Sequence, residues 1–390
     1  MTIRHILLTL LLSCGLFAEV EWRVENTNFT LSQASLVPME DTDYLYNYNR
    51  TRLRSDWKED HFFVTGIGDV VNYLGEEYID STSFRYIKHV KSDTPFKTQT
   101  SFSYYGNDKG AAYAKLYRLY GGYDDATNRI VAGLQNITMG VGRIWTPTNL
   151  FNPRNAYALE PDETFGVAAV SYTRYIGTKS QASVVASQQE DRSFKYAAEY
   201  KVSLESTDII LNTIKSDQTK MLGYAIEGDL GDTGIEVRSE GAYIESKLNT
   251  VGQQEDEKKF FQGIIGADYA FEKGLNLTVE ALYSSEIFSY AEILANLDAN
   301  LLASMVMSYF YLGTTMSYDF NIYLSGSLVY IESFGGGELD KNSRFISPTL
   351  SYTLNDNNAF VLGAMIQNGP TQSEFGMLGN SYYLKYTLTF

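Results

Sequence analysis

The last ten residues alternate without a break. Tyr382, Leu384, Tyr386, Leu388 and Phe390 share one face, and Ser381, Tyr383, Lys385, Thr387 and Thr389 share the other. A period of two with one wholly apolar face places a strand between an apolar and a polar medium. The pattern recurs upstream. Phe194, Tyr196, Ala198, Tyr200, Val202 and Leu204 alternate with Lys195, Ala197, Glu199, Lys201 and Ser203. Phe320, Ile322, Leu324, Gly326, Leu328 and Tyr330 alternate with Asn321, Tyr323, Ser325, Ser327 and Val329. Ile346, Leu350, Tyr352 and Leu354 form another such row, interrupted by Pro348, where a bulge is expected. Apolar rows on one side, with Ser, Thr, Asn and charge on the other, predict an all-β chain closed around a wet interior.

Connections carry a second pattern. Short turns fall at 355–357, 318–319, 271–274, 231–234, 205–208, 177–180 and 124–127, with longer segments at 370–380, 333–342, 286–302, 246–258 and 145–164. Such alternation suits a barrel with one short-turn end and one long-loop end, and its parity puts the C-terminus at the short-turn end. About fourteen strands follow residue 111. Val20–Ser32, Tyr44–Trp57 and Phe62–Tyr73 add three, before a long 75–110 loop. One more is needed for an even count, so about 18 strands are expected, with 16 and 20 as alternatives.

Met1 to Ala18 read as a secretory signal peptide: Arg4, an apolar run from Ile6 to Leu12, then small residues. Cleavage after Ala18 leaves 19–390 as one barrel domain. A second reading takes Leu11-Leu12-Ser13-Cys14 as a lipoprotein box with Cys14 lipidated. Cys14 is the sole cysteine, so its loss with the leader removes disulfides and thiolate chemistry together.

With this leader, the terminal strand resembles that of Gram-negative outer-membrane β-barrels, in which Tyr382, Leu384, Tyr386, Leu388 and Phe390 would form the membrane-insertion signal. The stretch Gly142-Arg-Ile-Trp145…Asn149-Leu-Phe-Asn-Pro153 is similar to a pattern in porin-like barrels of uncharacterised substrate. The resemblance implies a single transmembrane antiparallel barrel in the cell outer membrane. Its surroundings would be outer-membrane lipid and lipopolysaccharide, with the barrel assembly machinery as a partner. A homotrimer is one assembly it admits, and no cofactor or metal is implied.

Composition agrees. Tyr 31 and Phe 21 favour strands. Mean hydropathy is -0.21, and beyond the leader no apolar run suits a membrane helix. A net charge of -16 disfavours nucleic acid as a partner. After the leader only His61 and His89 remain as histidines, without a serine–carboxylate cluster or metal spacing around them. The pairs Glu76-Glu77 and Asp124-Asp125 read as solvated turns, so an enzyme is not expected.

Candidate chemistry lies in the 145–164 loop and the arginines. Gly140 and Gly142 allow another chain to approach closely, and Pro147 and Pro153 stiffen the loop itself. Such a loop either enters the lumen or caps the rim. Arg50, Arg52 and Arg54 share one strand face and must point inward, since three adjacent charges cannot face lipid. With Arg143, Arg154, Glu160, Asp162 and Glu163 they are the expected pore-lining or constriction residues. Arg118, Arg129 and Arg174 fall nearby in sequence. Facing basic and acidic rows would set a transverse field; the alternative is that they neutralise each other. Glu286–Leu302 has helical spacing and reads as a short amphipathic helix in an outer loop. The expected function is passive diffusion of small hydrophilic or charged solutes through a loop-constricted, water-filled lumen. Alternatives are a plugged structural or surface-interaction barrel and a hydrophobic-solute transporter.

Overall fold

The alternating stretches form strands, except that Phe320 to Tyr323 make the turn before the strand that begins at Leu324, and each barrel strand pairs antiparallel with its neighbours. This is seen in a computed structural model that describes residues 20–37, 40–89, 92–252, 254–296, 301, 304–335, 342–371 and 373–390. The leader expectation and Cys14 lie outside these residues. The first strands are β1 (Val20–Ala34), β2 (Asp43–Glu59), β3 (Phe62–Leu74), β4 (Ser103–Tyr105), β5 (Gly110–Asp124) and β6 (Asn128–Gln135). Next come β7 (Val167–Ile176), β8 (Ser180–Gln188), β9 (Phe194–Ser203), β10 (Thr207–Lys215), β11 (Thr219–Asp229), β12 (Ile235–Asn249) and β13 (Glu255–Ala270). The last are β14 (Leu275–Ser284), β15 (Phe310–Asp319), β16 (Leu324–Phe334), β17 (Ser343–Asn355), β18 (Asn358–Asn368) and β19 (Ser381–Thr389).

The sheet closes on itself because β1 pairs with both β2 and β19, in a register running from Glu25↔Thr389 to Gln33↔Ser381. Strand β3 pairs directly with β5. The three-residue β4 only extends the rim, with Tyr105 opposite Gly110. Setting β4 aside, the barrel has 18 strands, the expected central count. Fifteen of these follow residue 109 rather than fourteen, and that supplies the eighteenth.

The short turns sit at one end, close to their expected positions. In one, the Asp125 carboxylate accepts the backbone N–H groups of Thr127 and Asn128, both at 2.6 Å. Those bonds hold its pKa down at about 2. At the other end the expected alternation is incomplete. Residues 189–193 and 216–218 are short, and the 246–258 segment reduces to 250–254 because β12 and β13 extend beyond the expected boundaries. Pro348 makes no bulge: its ladder to β18 lapses at Ser347–Pro348 without a change of register, and the shift falls at Thr353/Asn355 instead. A proline removes one donor, and the neighbouring pairs hold the register.

Most outward rows are apolar, as on β19, where Tyr382 and Leu384 are about half exposed. The core is inside the barrel, where connections fold into the long-loop end. Helix α1 (Glu76–Asp80) begins at the Glu76-Glu77 pair, expected as a turn, and α2 (Thr82–His89) follows. The Tyr78 ring stacks on Tyr46 at 3.6 Å, and Phe84 packs edge-on against Tyr73. Helix α3 (Tyr290–Ala295) lies within the expected 286–302 span, capped by Ser289 and Glu292. Its C-cap Asn296 exchanges 2.8 Å bonds with Asn249, and the Tyr290 hydroxyl donates to the Leu36 carbonyl. The helix therefore lies across the mouth. Residues 297–300 and 302 of that span are outside the described set.

Candidate functional site

Strand β6 ends at Gln135, and the chain runs through the lumen until β7 begins at Val167. Its backbone leaves the ladder because side chains of the opposite wall satisfy it. Glu240 of β12 accepts from the N–H groups of Val141 (2.7 Å), Gly142 (3.0 Å) and Thr148 (2.7 Å) and from the Thr148 hydroxyl (2.8 Å). Glu280 of β14 accepts from the N–H groups of Arg143, Ile144 and Trp145 at 2.8–3.1 Å. Both carboxylates are 0% exposed. A buried carboxylate is stable when ringed by charge-assisted donors, and here one loop supplies all seven of these bonds. Gly140 has φ +87°, and a Cβ there would run into the Glu240 carboxylate. A Cβ on Gly142 would overlap the Trp145 carbonyl. The close approach is made by a carboxylate at Gly140 and by a backbone carbonyl at Gly142.

The loop's other end is tied to β2. Arg50 grips Glu160 with two bonds, of 2.9 and 3.1 Å, and lies 3.3 Å from Glu163. Arg52 is shared between Glu163 (2.8 and 2.9 Å) and Asp69 of β3 (2.7 and 2.8 Å). Lys385 of β19 is 3.6 Å from Glu160. Burial alone would raise the Glu163 pKa, but the two arginines override it and hold the group at about 2. The basic and acidic rows therefore do not face each other across open water. They are in contact, and the transverse field expected between them is largely cancelled.

Between these anchors the loop packs on the wall. Trp145 meets Tyr311, and Tyr157 meets Phe345 and Phe375 edge-on. Lys195 donates to the Leu150 carbonyl at 3.1 Å, and Arg118 to the Thr164 carbonyl at 2.8 Å. The loop thus crosses the lumen from β12–β14 to β2–β3. Arg154 stays on the loop, 3.2 Å from Asp162, which is largely exposed. Arg143 points toward the short-turn end, bonded to Glu227 (2.8 Å) and Glu236 (2.9 Å), with Asp268 at 3.5 Å. Arg238 sits beside Asp268 and Glu280. Arg54 pairs with Asp56, Arg129 with Asp124, and Arg174 bonds Asn128, so these three lie away from the loop.

Toward the long-loop end a cavity of about 960 Å³ opens above the loop. Its floor includes Arg154, Glu160 and Glu163, and its sides include Lys195, Lys247 and Ile293. Glu374, from the β18–β19 connection, also lines it. Tyr311 donates its hydroxyl to the Glu374 carboxylate, and burial raises that carboxyl from 4.5 to about 7. A carboxyl whose folded pKa is raised contributes its full stabilisation below the unfolded value and loses it as pH rises through the folded one. The 369–380 connection should therefore loosen from Tyr157 and Tyr311 as pH rises through about 7. Hydrogen exchange of 369–380 between about pH 6 and 8 reads this directly. Glu374→Gln should abolish the pH dependence; an unchanged profile in that variant would refute the assignment.

Sequence reasoning missed Glu240, Glu280, Asp69 and Glu374. The first three were accessible in principle, because each is a carboxylate at an inward parity position of a strand. Glu374 lies in a connection with no periodicity to mark it. Among the described residues, no group of His, Cys, Asp and Glu is placed to hold a metal.

No protein-family model matches the chain, and no curated protein shows significant sequence similarity to it. Solved structures do share the architecture. Acinetobacter baumannii OccAB1 aligns with a TM-score of 0.61 at 10% identity, covering 96% of each chain. Pseudomonas aeruginosa OccK8 (OprE) aligns at 0.56 and 9% identity, covering 95% of this chain and 98% of that one. Pseudomonas aeruginosa OpdK, in a structure with vanillate, aligns at 0.56 and 8% identity, covering 95% and 98%. These are outer-membrane porins with 18-stranded barrels, and what this chain shares with them is the fold.

Proposed function

We propose that the protein is an outer-membrane channel for passive diffusion of small hydrophilic solutes, narrowed by the 136–166 loop. The observation that carries this reading is the loop itself. It is strapped across a closed barrel by carboxylates on one wall and arginines on the other, so that it narrows the lumen. Polar residues such as Thr315, Ser327, Thr349 and Ser351 face the lumen from β15–β17, beside the loop. Water and polar solutes cross most readily beside such uncharged hydroxyls.

Selection by charge follows from what remains after pairing. Arg50 and Arg52 are offset by Glu160, Glu163 and Asp69. On the β11–β14 wall, Glu227, Glu236, Asp268 and Glu280 outnumber Arg143 and Arg238. The lumen therefore favours cations over anions below the loop. No catalytic group is assigned, and export to the outer membrane belongs to the same reading.

A second reading is a plugged barrel, favoured by the apolar clusters that the 75–109 and 136–166 connections form with the inner wall. Single-channel recording in planar bilayers separates the two. We expect discrete openings with cation-selective reversal potentials in a salt gradient. Silence at all voltages would leave the plugged reading; anion selectivity would overturn the charge assignment alone.

A further inference from the structure

The cavity above the loop is lined by two kinds of surface. One is apolar: Ile293 and Leu294 of α3, Val306 beyond it, and Tyr157 and Ala158 of the loop. The other carries carboxylates. Asp93 accepts from the Glu190 N–H at 2.7 Å and from the Gln189 amide at 2.8 Å, which ties the 92–94 segment to the β8–β9 turn. Asp93, Glu190 and Asp191 are thereby gathered at one part of the rim, and Glu255 at the start of β13 adds a fourth. The volume of about 960 Å³ is far more than a bare inorganic ion needs. It falls in the range of roughly 300–1,000 Å³ found for sites that hold small organic molecules, which are mostly apolar with a few placed polar groups.

A solute carboxylate meets cations there that are already engaged. Among the described residues that line the cavity, the cations are Arg154, Lys195 and Lys247. Arg154 donates to the Arg143 carbonyl and pairs with Asp162. Lys195 is buried, donates to the Leu150 carbonyl and lies 5.2 Å from the centre of the Phe151 ring. Lys247 lies opposite Glu257 in the β12–β13 ladder. Beneath the floor, Arg50 and Arg52 are held by Glu160, Glu163 and Asp69. The rim carboxylates are freer: Asp191 is exposed and accepts the Ser193 N–H, a bond that brings no counter-charge. The field over the cavity is therefore negative, like that below the loop.

We infer that this cavity selects organic cations that carry an apolar body and no carboxylate of their own. The inference rests on the channel reading above and names the class of solute that the channel takes. The apolar body lies against Ile293, Leu294 and Tyr157, while the ammonium or guanidinium group is drawn to Asp93, Glu190 and Asp191. Removing a phenyl-sized body from water against such a wall raises occupancy about tenfold or more. An inorganic cation feels the same field but makes no apolar contact, so it passes without dwelling. An anion or a zwitterion brings a carboxylate to a negative rim whose cations are spent, and both are disfavoured.

The test is block of potassium current through the full-length protein in planar bilayers, with probes added from the long-loop side. Four probes separate charge from body: phenethylammonium, methylammonium, phenylacetate and phenylalanine. We expect phenethylammonium to block at a concentration about tenfold below that of each of the others. Ile293→Asn/Leu294→Asn should remove most of its advantage over methylammonium, with the boiling-dependent gel shift scoring the fold of the variant. Equal or stronger block by phenylacetate or phenylalanine would overturn the inference while leaving the channel reading intact. Equal block by methylammonium would do the same, by showing that the apolar wall adds nothing. The expected ranking in the native protein with no change in the variant would place the contact elsewhere and overturn the assignment to this cavity. Absence of any openings would instead remove the channel reading, and the inference with it. If the variant fails to fold, the ranking of the four probes on the native protein decides alone.

Discussion

Replacing Glu240 and Glu280 together by alanine is expected to raise single-channel conductance severalfold. Seven hydrogen bonds from the loop end on these two carboxylates. Charge-assisted bonds contribute about 1.5–3 kcal/mol each. Without its acceptors the 141–148 segment has six N–H donors without these partners, four of them buried, and the least costly remedy is to swing into water. Barrel pairing does not depend on the loop, so the boiling-dependent gel shift should survive. Glu240→Gln/Glu280→Gln keeps acceptor oxygens but loses the charge, and should fall between the two. Unchanged conductance in the alanine variant would mean that the loop is not the narrowing element.

The second large effect is on stability. Arg52→Ala removes the cation that Asp69 and Glu163 share, and the Asp69 side chain is wholly buried. Leaving a buried charge without its partner costs about 3–5 kcal/mol. The midpoint of thermal unfolding should drop accordingly, and Asp69→Asn in the same chain should recover part of the loss. The pH dependence has a definite sign. Glu163 has a depressed pKa, so its contribution is present above the ordinary 4.5 and is lost only as pH falls through about 2. Native anchorage should persist through the mildly acidic range, whereas in Arg52→Ala it should fail at higher pH. Equal midpoints for the two proteins near neutral pH would remove Arg52 from the anchor.

Alternation carried most of the fold, because each strand separates two media and records both in its parity. It pointed to the 18 strands, the inward arginines and the position of most turns. It could not place the loop's path. Periodicity reports which medium a residue meets, but the Glu240 and Glu280 contacts are made between backbone N–H groups and side chains about a hundred residues away. Parity places Arg50 and Arg52 on the inward face of β2, but their partners decide what they do. Arg50 and Arg52 meet Glu160 and Glu163 at bonding distance, and only the fold determines that these rows touch.

The loop's anchorage also sets an order of events. Residues 141–148 lie 92 to 137 positions before the carboxylates they bond, and those carboxylates sit side by side only after β12, β13 and β14 have paired. Until then the loop's N–H groups remain bonded to water. The narrowing therefore cannot form before that stretch of wall has paired, although the loop lies on the N-terminal side of it in the chain.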